Sequence, residues 1–128
     1  MNRSLDALDP RFFPLAIALL ARCVEAQIPV LIVNTRRTDA EQADALARGV
    51  SWVARSKHQD GLAIDIVPYE VYTSAPGGDK LLWNGNDALY HRLGLIGEAL
   101  GLRWGGRWRQ KDLGHFEYQT GTSPRVPA

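Results

Sequence analysis

Several features that would define a protein class are missing from this sequence. It has a single cysteine, Cys23, among 128 residues, so an internal disulfide is excluded. Cys23 lies in an apolar helical pattern, which predicts a buried thiol and not a nucleophile. The formal net charge is +1 and no run of Lys or Arg stands out, which argues against a nucleic-acid-binding protein.

Long hydrophobic segments are missing as well. The apolar run over residues 12–21 is too short to span a bilayer. Asp6 and Asp9 precede this run, where a secretory leader would carry positive charge. We therefore expect a buried first helix, no stable membrane insertion, and a protein that accumulates in the cytoplasm.

The order of predicted helices and strands along the sequence indicates a small α+β domain. Hydrophobic residues make up 45% of the chain, which is enough for one globular domain over residues 1–128. The predicted helices are 9–27, starting at Asp9-Pro10; 38–49, opened by a Thr38/Glu41 capping box; and 86–100. The predicted strands are 30–33, a central strand; 62–67, ended by Pro68; 80–83, a short edge strand; and 114–118.

These elements favour helices packed on a small, largely antiparallel sheet. A parallel doubly wound sheet is the alternative, but its glycine-rich phosphate loop is absent after the first strand. Residues 69–79 are expected to form a surface loop, and residues 119–128 a loose tail.

A histidine and an aspartate stand out around the second strand. His58 is followed seven residues later by Asp65, in the middle of an apolar, β-prone run. A buried carboxylate is costly unless it is paired or binds a metal. Because histidine and carboxylate are ordinary zinc ligands, we hypothesise that His58 and Asp65 bind a metal together with a third residue.

The third ligand is best sought in residues 112–118. With His115 as that ligand, three protein side chains would leave one position open, as in catalytic zinc sites. Asp112, three residues earlier, is the candidate general base. Glu117, two residues later, is a candidate to support His115 by accepting an imidazole N–H. Arg37, at the end of the first strand, is a candidate donor to an oxyanion.

Each of these residues also has an ordinary structural interpretation. Taken singly, His58 and His115 are compatible with hydrogen-bonded core histidines. Ser56 is equally compatible with capping a turn or supporting the site. Trp104 and Trp108 are more often core or platform residues than direct contacts to substrate.

The order of these pieces resembles the zinc signature of the D-alanyl-D-alanine carboxypeptidase-like peptidases. This group includes VanY-type enzymes and phage L-alanyl-D-glutamate endolysins. The two halves of the signature are S-x-H-x-x-G-x-A-x-D over residues 56–65 and D-x-x-H-F-E over residues 112–117. R-T-x-x-E-Q over residues 37–42 and W-G-G-x-W over residues 104–108 match too, so the resemblance covers roughly residues 28–118.

The resemblance implies a small α+β fold shared with the Hedgehog signalling domain. It also implies one zinc ion held by His58, Asp65 and His115, with Asp112 as general base and Arg37 on the carbonyl oxygen. The implied substrate is the stem peptide of bacterial peptidoglycan. The W-G-G-x-W piece and the aspartate at position 112 are most like the endolysin branch, which cuts the L-Ala–D-Glu bond.

Three questions stay open at this stage. The family often has Gly-Tyr-Arg where this chain has Thr35-Arg36-Arg37, so either arginine could face the substrate, with Arg37 favoured. A D-Ala-D-Ala carboxypeptidase or dipeptidase is the alternative activity, and a non-catalytic zinc-binding module of the same fold is the alternative class. The short chain resembles a single-domain, bacteriolytic phage enzyme, for which we expect a monomer released to the cell wall.

Overall fold

The computed structural model describes residues 1–51, 53–70, 80–83 and 86–119. The helices within them are α1 (Phe13–Glu25), α2 (Asp39–Ala47) and α3 (Asp87–Ala99). The strands are β1 (Val30–Asn34), β2 (Ala63–Glu70), β3 (Lys80–Leu81), β4 (Arg103–Trp104) and β5 (His115–Glu117). Short 3₁₀ helices occupy Leu5–Ala7, Lys57–Asp60 and Gly105–Arg107. Most of the predicted loop (71–79) and tail (120–128) lies outside the described residues.

The strands form one small antiparallel sheet. Its order is β1-β2-β5-β4, and β3 pairs with the far end of β2. The predicted α+β class is thereby confirmed, and the parallel alternative is wrong because these pairings are all antiparallel. The prediction that residues 30–33 form a central strand is also wrong. β1 lies at the edge of the sheet and leaves Leu31 exposed, since the core covers only one of its faces.

Helices α1 and α3 pack together over the sheet and enclose the core. The largest fully buried apolar side chains are Phe12, Leu15, Leu19, Ile64, Ile66, Leu93, Leu100, Leu102, Val67 and Phe116. Burying one large apolar side chain contributes about 2 kcal/mol, so this core fixes the two strands, β2 and β5, on which the site is built. Cys23 is buried as predicted, and burial raises the pKa of its thiol to about 11.

Two predicted boundaries are wrong for reasons visible in the backbone. α1 begins at Phe13 and not at Pro10, because Pro14 has no N–H to donate to the Pro10 carbonyl. The N–H groups of Phe12 and Phe13 both donate to the Asp9 carbonyl, in a turn that precedes the regular helix. Strand β2 continues through Pro68 instead of ending there. The Pro68 carbonyl accepts from Leu82, and the next N–H, of Tyr69, donates to Pro29, so pairing resumes beyond the proline.

The second helix starts as predicted. The Thr38 hydroxyl accepts from the Glu41 N–H at 3.1 Å, and the Glu41 carboxylate accepts from the Thr38 N–H at 2.9 Å. This reciprocal pair satisfies two N–H groups at the start of α2 and fixes the turn that follows Arg37. Among the described helices, none has both the length and the apolar content needed to cross a bilayer.

Candidate metal centre

The three predicted ligands come from adjacent elements. Asp65 of β2 and His115 of β5 are direct partners in the antiparallel register. His58 lies in the 3₁₀ helix Lys57–Asp60, just before β2. Neighbouring strands therefore bring together residues that are fifty positions apart in the sequence.

A capping box and a left-handed glycine orient His58. The Ser56 hydroxyl accepts from the His58 N–H at 3.2 Å, and the Gln59 side chain accepts from the Ser56 N–H at 2.7 Å. Gly61 ends the helix with φ +71°, and a Cβ there would lie 2.8 Å from the backbone nitrogen of Asp9. Glycine thus permits both the turn into β2 and the close approach of the N-terminal segment.

The potential ligand atoms of His58, Asp65 and His115 all lie within 4.8 Å of one another. The Asp65 carboxylate is between the two rings, with one oxygen 3.0 Å from His58 Nε2 and the other 2.9 Å from His115 Nδ1. The rings meet edge to face, with centroids 5.1 Å apart. This arrangement can surround one cation.

The hydrogen bonds of His58 assign its tautomer. Its Nδ1 lies 2.8 Å from the Thr35 carbonyl oxygen, which can only accept, so Nδ1 carries the proton. In the neutral ring Nε2 then offers a lone pair. This atom is buried and makes no hydrogen bond with any residue that the structure describes, although an Asp65 oxygen is close. A lone pair facing a carboxylate is the arrangement that a metal ion between them would satisfy.

His115 differs from His58 in having a carboxylate partner on each ring nitrogen. Its Nε2 lies 2.8 Å from a carboxylate oxygen of buried Glu117, which leaves Nδ1 facing Asp65. Burial disfavours a charged imidazole, but hydrogen bonds with Asp65 and Glu117 prevail and raise the pKa of His115 to about 10. Burial likewise opposes the charge of Asp65, but both histidines hold the pKa of Asp65 below its ordinary value. The centre is rich in negative charge and suits a cation.

Asp112 lies beside this centre, on its open side. One carboxylate oxygen is 3.8 Å from His115 Nδ1, and the side chain is about half exposed. Burial, and secondly the charge of Asp65, raise the pKa of Asp112. The backbone of Asp112 packs directly against Gly105. The Gly105 carbonyl accepts from the Asp112 N–H at 3.0 Å, and a Cβ on Gly105 would lie 2.5 Å from the Asp112 carbonyl oxygen.

The two neighbouring arginines point to different places. Arg37 lines the cavity above the centre, and its Nη1 donates to the Gln42 side-chain oxygen at 2.5 Å. Arg36 instead donates to the Ala7 carbonyl, at 3.3 Å. Of the two, only Arg37 is among the described residues that line this cavity, and its contact with a substrate stays a prediction.

Of the other predicted site residues, Trp108 and Ser56 line the cavity and Trp104 does not. Trp108 lines the cavity, and its ring centroid is 5.0 Å from that of His115. Trp104 is buried and donates from its ring N–H to the Leu113 carbonyl at 2.8 Å, so it supports the loop and is not among the residues that line this cavity. Ser56 both caps the helix of His58 and lines the cavity.

Sequence reasoning missed the partners behind the site. Gln42 is buried, accepts from Arg37, and donates to Ser51 and Val53 at 3.0 and 2.7 Å. Its place in the piece matched over residues 37–42 was the available signal. The Thr35 carbonyl that fixes the His58 tautomer is a backbone group, for which the sequence carries no signal.

Fold and site together define a small α+β domain with a centre of two histidines and one aspartate, of the kind found in metallohydrolases. A family model of the M15 peptidases, described as D-alanyl-D-alanine carboxypeptidase, matches residues 49–118. Because the match spans more than half of the chain, this chain belongs to that peptidase family. The resemblance drawn from the motifs is confirmed, whereas the roles of individual residues stay predictions.

Among solved structures, the chain is similar to the L-Ala D-Glu endopeptidase ChiX of Serratia marcescens. The TM-score is 0.68, with 23% sequence identity over 90% of this chain and 83% of that chain. This likeness confirms the fold. No curated protein matches the chain.

Proposed function

We propose that this protein is a zinc-dependent peptidoglycan peptidase that hydrolyses the L-Ala–D-Glu bond of the stem peptide. The observation that carries the proposal is the convergence of His58, Asp65 and His115 within 4.8 Å, beside a carboxylate and a guanidinium that line the same cavity. Membership of a peptidase family supports the reaction class. Similarity to an L-Ala D-Glu endopeptidase supports the choice of bond.

Zinc fits the donor set. Two imidazole nitrogens and one carboxylate are its ordinary ligands in catalytic sites, and the outer nitrogens of both rings already have oxygen partners. When bound, zinc acts as a Lewis acid that polarises a carbonyl group and lowers the pKa of water to about 7. The buried and otherwise unsatisfied His58 Nε2 supports the presence of a metal on the side facing Asp65.

Asp112 is the proposed general base. Its carboxylate is close to the centre but is not one of the three converging groups. Because the pKa of Asp112 is raised, this carboxylate is a better proton acceptor than an ordinary aspartate. It takes the proton of the attacking water and passes it to the departing amine.

Arg37 is proposed to stabilise the negative charge that develops on the carbonyl oxygen. A guanidinium is charged at every relevant pH and donates several hydrogen bonds. Gln42 anchors one end of this group, so the rest is directed towards the cavity. Trp108, packed near His115, excludes water from one side of the reacting bond.

A digest of purified peptidoglycan tests the proposal. The protein is stripped with a chelator, one sample is reloaded with zinc, and the products are identified by mass spectrometry. We expect new L-Ala carboxyl termini and D-Glu amino termini in the reloaded sample alone. Full activity in the stripped protein would contradict zinc dependence.

The family description favours a second candidate, release of terminal D-Ala by a carboxypeptidase or dipeptidase. The same digest separates the two, because free D-Ala would then appear in place of new L-Ala termini. A chain that binds zinc but cleaves neither bond would instead be a non-catalytic binding module.

We further propose a bacteriolytic phage endolysin that is monomeric and stays in the cytoplasm until it is released to the wall. The support is the resemblance of residues 104–108 and of Asp112 to the endolysin branch. Lysis of cells only when the protein is expressed together with a membrane pore is the expected result. Lysis without a pore would contradict the proposed release.

A further inference from the structure

The residues that precede α1 lie against the two pieces of backbone that hold His58. Residues 2–9, called the N-terminal segment, include the 3₁₀ helix Leu5–Ala7. Leu8 is buried in the core and anchors this segment, whereas its other residues are exposed or half-buried. None of these residues, all of which the structure describes, lines the cavity above the metal centre. Any influence of the segment on the site therefore passes through the residues that it contacts.

The first contact is with Thr35, which directly follows β1. The Thr35 N–H donates to the Asn2 carbonyl at 2.8 Å, and the hydroxyl of the fully buried Thr35 donates to the same oxygen at 3.2 Å. Asn2 is itself held in a turn, because its side-chain oxygen accepts from the Ser4 N–H at 2.8 Å. The Thr35 carbonyl accepts from His58 Nδ1 at 2.8 Å. A single residue thus links the N-terminal segment to a predicted metal ligand.

The second contact is with the turn that follows His58. The Asp9 N–H donates to the Gly61 carbonyl at 2.9 Å, and Gly61 ends the 3₁₀ helix that carries His58. Arg36 reaches the same place from the end of β1. Its Nη1 donates to the Ala7 carbonyl at 3.3 Å and would lie 3.4 Å from a Cβ at Gly61. The N-terminal segment is thereby tied to both the strand end and the turn.

The position of β1 explains why its end needs this support. β1 pairs with β2 and with no other strand that the structure describes. The N-terminal segment covers the other side of β1 near its end, where the Arg3 side chain donates to the Val33 carbonyl at 3.4 Å. Beyond the strand, the Arg37 N–H donates to the His58 carbonyl at 3.0 Å, so residues 35–37 hold both the ring and the backbone of His58.

We propose that the N-terminal segment positions His58 for metal binding, and that Thr35 and Arg36 are the positioning residues through which it acts. The inference rests on the proposed zinc site and assigns to it a support from outside the cavity. A partner on the outer ring nitrogen orients a histidine ligand and makes it more basic, so loosening that partner weakens metal binding without removing a ligand. Arg36 then serves the site through its bond to Ala7 and not by contact with a substrate.

Matched variants measure this support as zinc affinity, in competition with a chromophoric chelator. Thr35→Val keeps the shape of the side chain but loses the bond of its hydroxyl to Asn2, and the affinity should fall about fivefold. Thr35→Ser retains a hydroxyl and should restore the affinity to within about twofold of wild type. Arg36→Gln should lower it about threefold. Arg92→Gln removes the same charge from an exposed position of α3 and should leave the affinity unchanged.

Exchange of the His58 Nδ1 proton with water, followed by NMR in the metal-free protein, separates positioning from a general loss of stability. We expect this proton to exchange about tenfold faster in Thr35→Val and in Arg36→Gln, while the amide protons of α1 keep their wild-type protection. Arg36 is exposed, so its variant decides the question if Thr35→Val does not fold.

The same measurement separates failure of the inference from failure of the proposed function. If the wild-type protein binds no zinc, the proposed function is wrong at the metal centre, and proton exchange alone then decides the positioning. Faster exchange in the folded variants would support the inference. Wild-type exchange of the His58 Nδ1 proton in those variants would overturn it.

Discussion

Two sets of residues that line the cavity above the metal centre are built in opposite ways. The first set, called the floor, comprises the buried or half-buried titratable residues His58, Asp65, His115 and Glu117. The second set, called the rim, comprises Val50, Val53, Lys57 and Arg109. The two histidines and Glu117 are buried, and the hydrogen bonds of the two rings to oxygen atoms of Thr35, Asp65 and Glu117 measure 2.8–2.9 Å, whereas three of the four rim residues are exposed.

We expect this difference to separate the residues needed for chemistry from those that affect selectivity. The floor is attached to strands β2 and β5, so the hydrophobic core fixes the orientation of its donors before any metal or substrate binds. The rim carries two cations, Lys57 and Arg109, that form no ion pair with a described carboxylate. Substitutions on the floor should therefore remove the reaction or the metal, and substitutions on the rim should change only the preference among substrates.

The largest expected effect is at the edge of the floor. Asp112→Asn keeps the shape of the side chain but removes the proton acceptor, and kcat should fall by roughly 10²- to 10⁴-fold. Zinc content, measured by elemental analysis, should stay at one ion per chain. Asp87→Asn, at an exposed position in the first turn of α3, is the control and should retain activity. Unchanged kcat in Asp112→Asn would remove this residue from the mechanism.

The second effect tests how the floor is held together. Glu117→Ala deprives the buried His115 Nε2 of its acceptor, and the affinity for zinc should fall about 10- to 100-fold. Competition with a chromophoric chelator measures this change. Glu25→Ala, at the exposed end of α1, should leave the affinity unchanged. Wild-type affinity in Glu117→Ala would show that the hydrogen bond is not needed to orient the ring.

The third effect concerns the layer behind the cavity. Gln42→Leu loses the hydrogen bonds to Arg37, Ser51 and Val53, and the free energy of unfolding should fall by about 2–3 kcal/mol. Urea denaturation provides the measurement. Ala43→Leu places the same side chain at an exposed position of the same helix and should change stability by less than ~0.5 kcal/mol. Equal stability of the two variants would contradict the structural role of Gln42.

The smallest effect is on the rim. Arg109→Gln should change the free energy of unfolding by less than ~0.5 kcal/mol, because Arg109 is exposed and has no ion-pair partner among the described residues. A loss comparable to that of Gln42→Leu in the same urea titration would show that the rim is part of the folded scaffold, and the contrast between floor and rim would disappear.

The sequence was sufficient for the floor because that chemistry leaves a strong local signal. An aspartate in the middle of an apolar strand is costly to bury unless it is paired or binds a metal. The two histidine motifs, at residues 56–65 and 112–117, indicated which residues share that metal. The antiparallel pairing of Asp65 with His115 then follows from the fold class. The sequence alone could not show which ring nitrogen of His58 faces the aspartate, because a backbone group, the Thr35 carbonyl, binds the other nitrogen.

The rim was not predictable, for a different reason. Its cations come from residues 37, 55, 57, 103 and 109, so no run of basic residues appears in the sequence. The edge position of β1 was missed because an apolar β-branched run does not tell how many neighbours a strand has. Strand β4 was missed because two residues are too few to show a period.

X-ray absorption spectroscopy of the zinc-loaded protein tests the central claim most directly. The account predicts one zinc per chain with two imidazole nitrogens and carboxylate oxygen at about 2.0–2.2 Å, and loss of one imidazole in either His58→Ala or His115→Ala. A spectrum without imidazole, or one unchanged in both variants, would show that the metal binds elsewhere and would contradict the account.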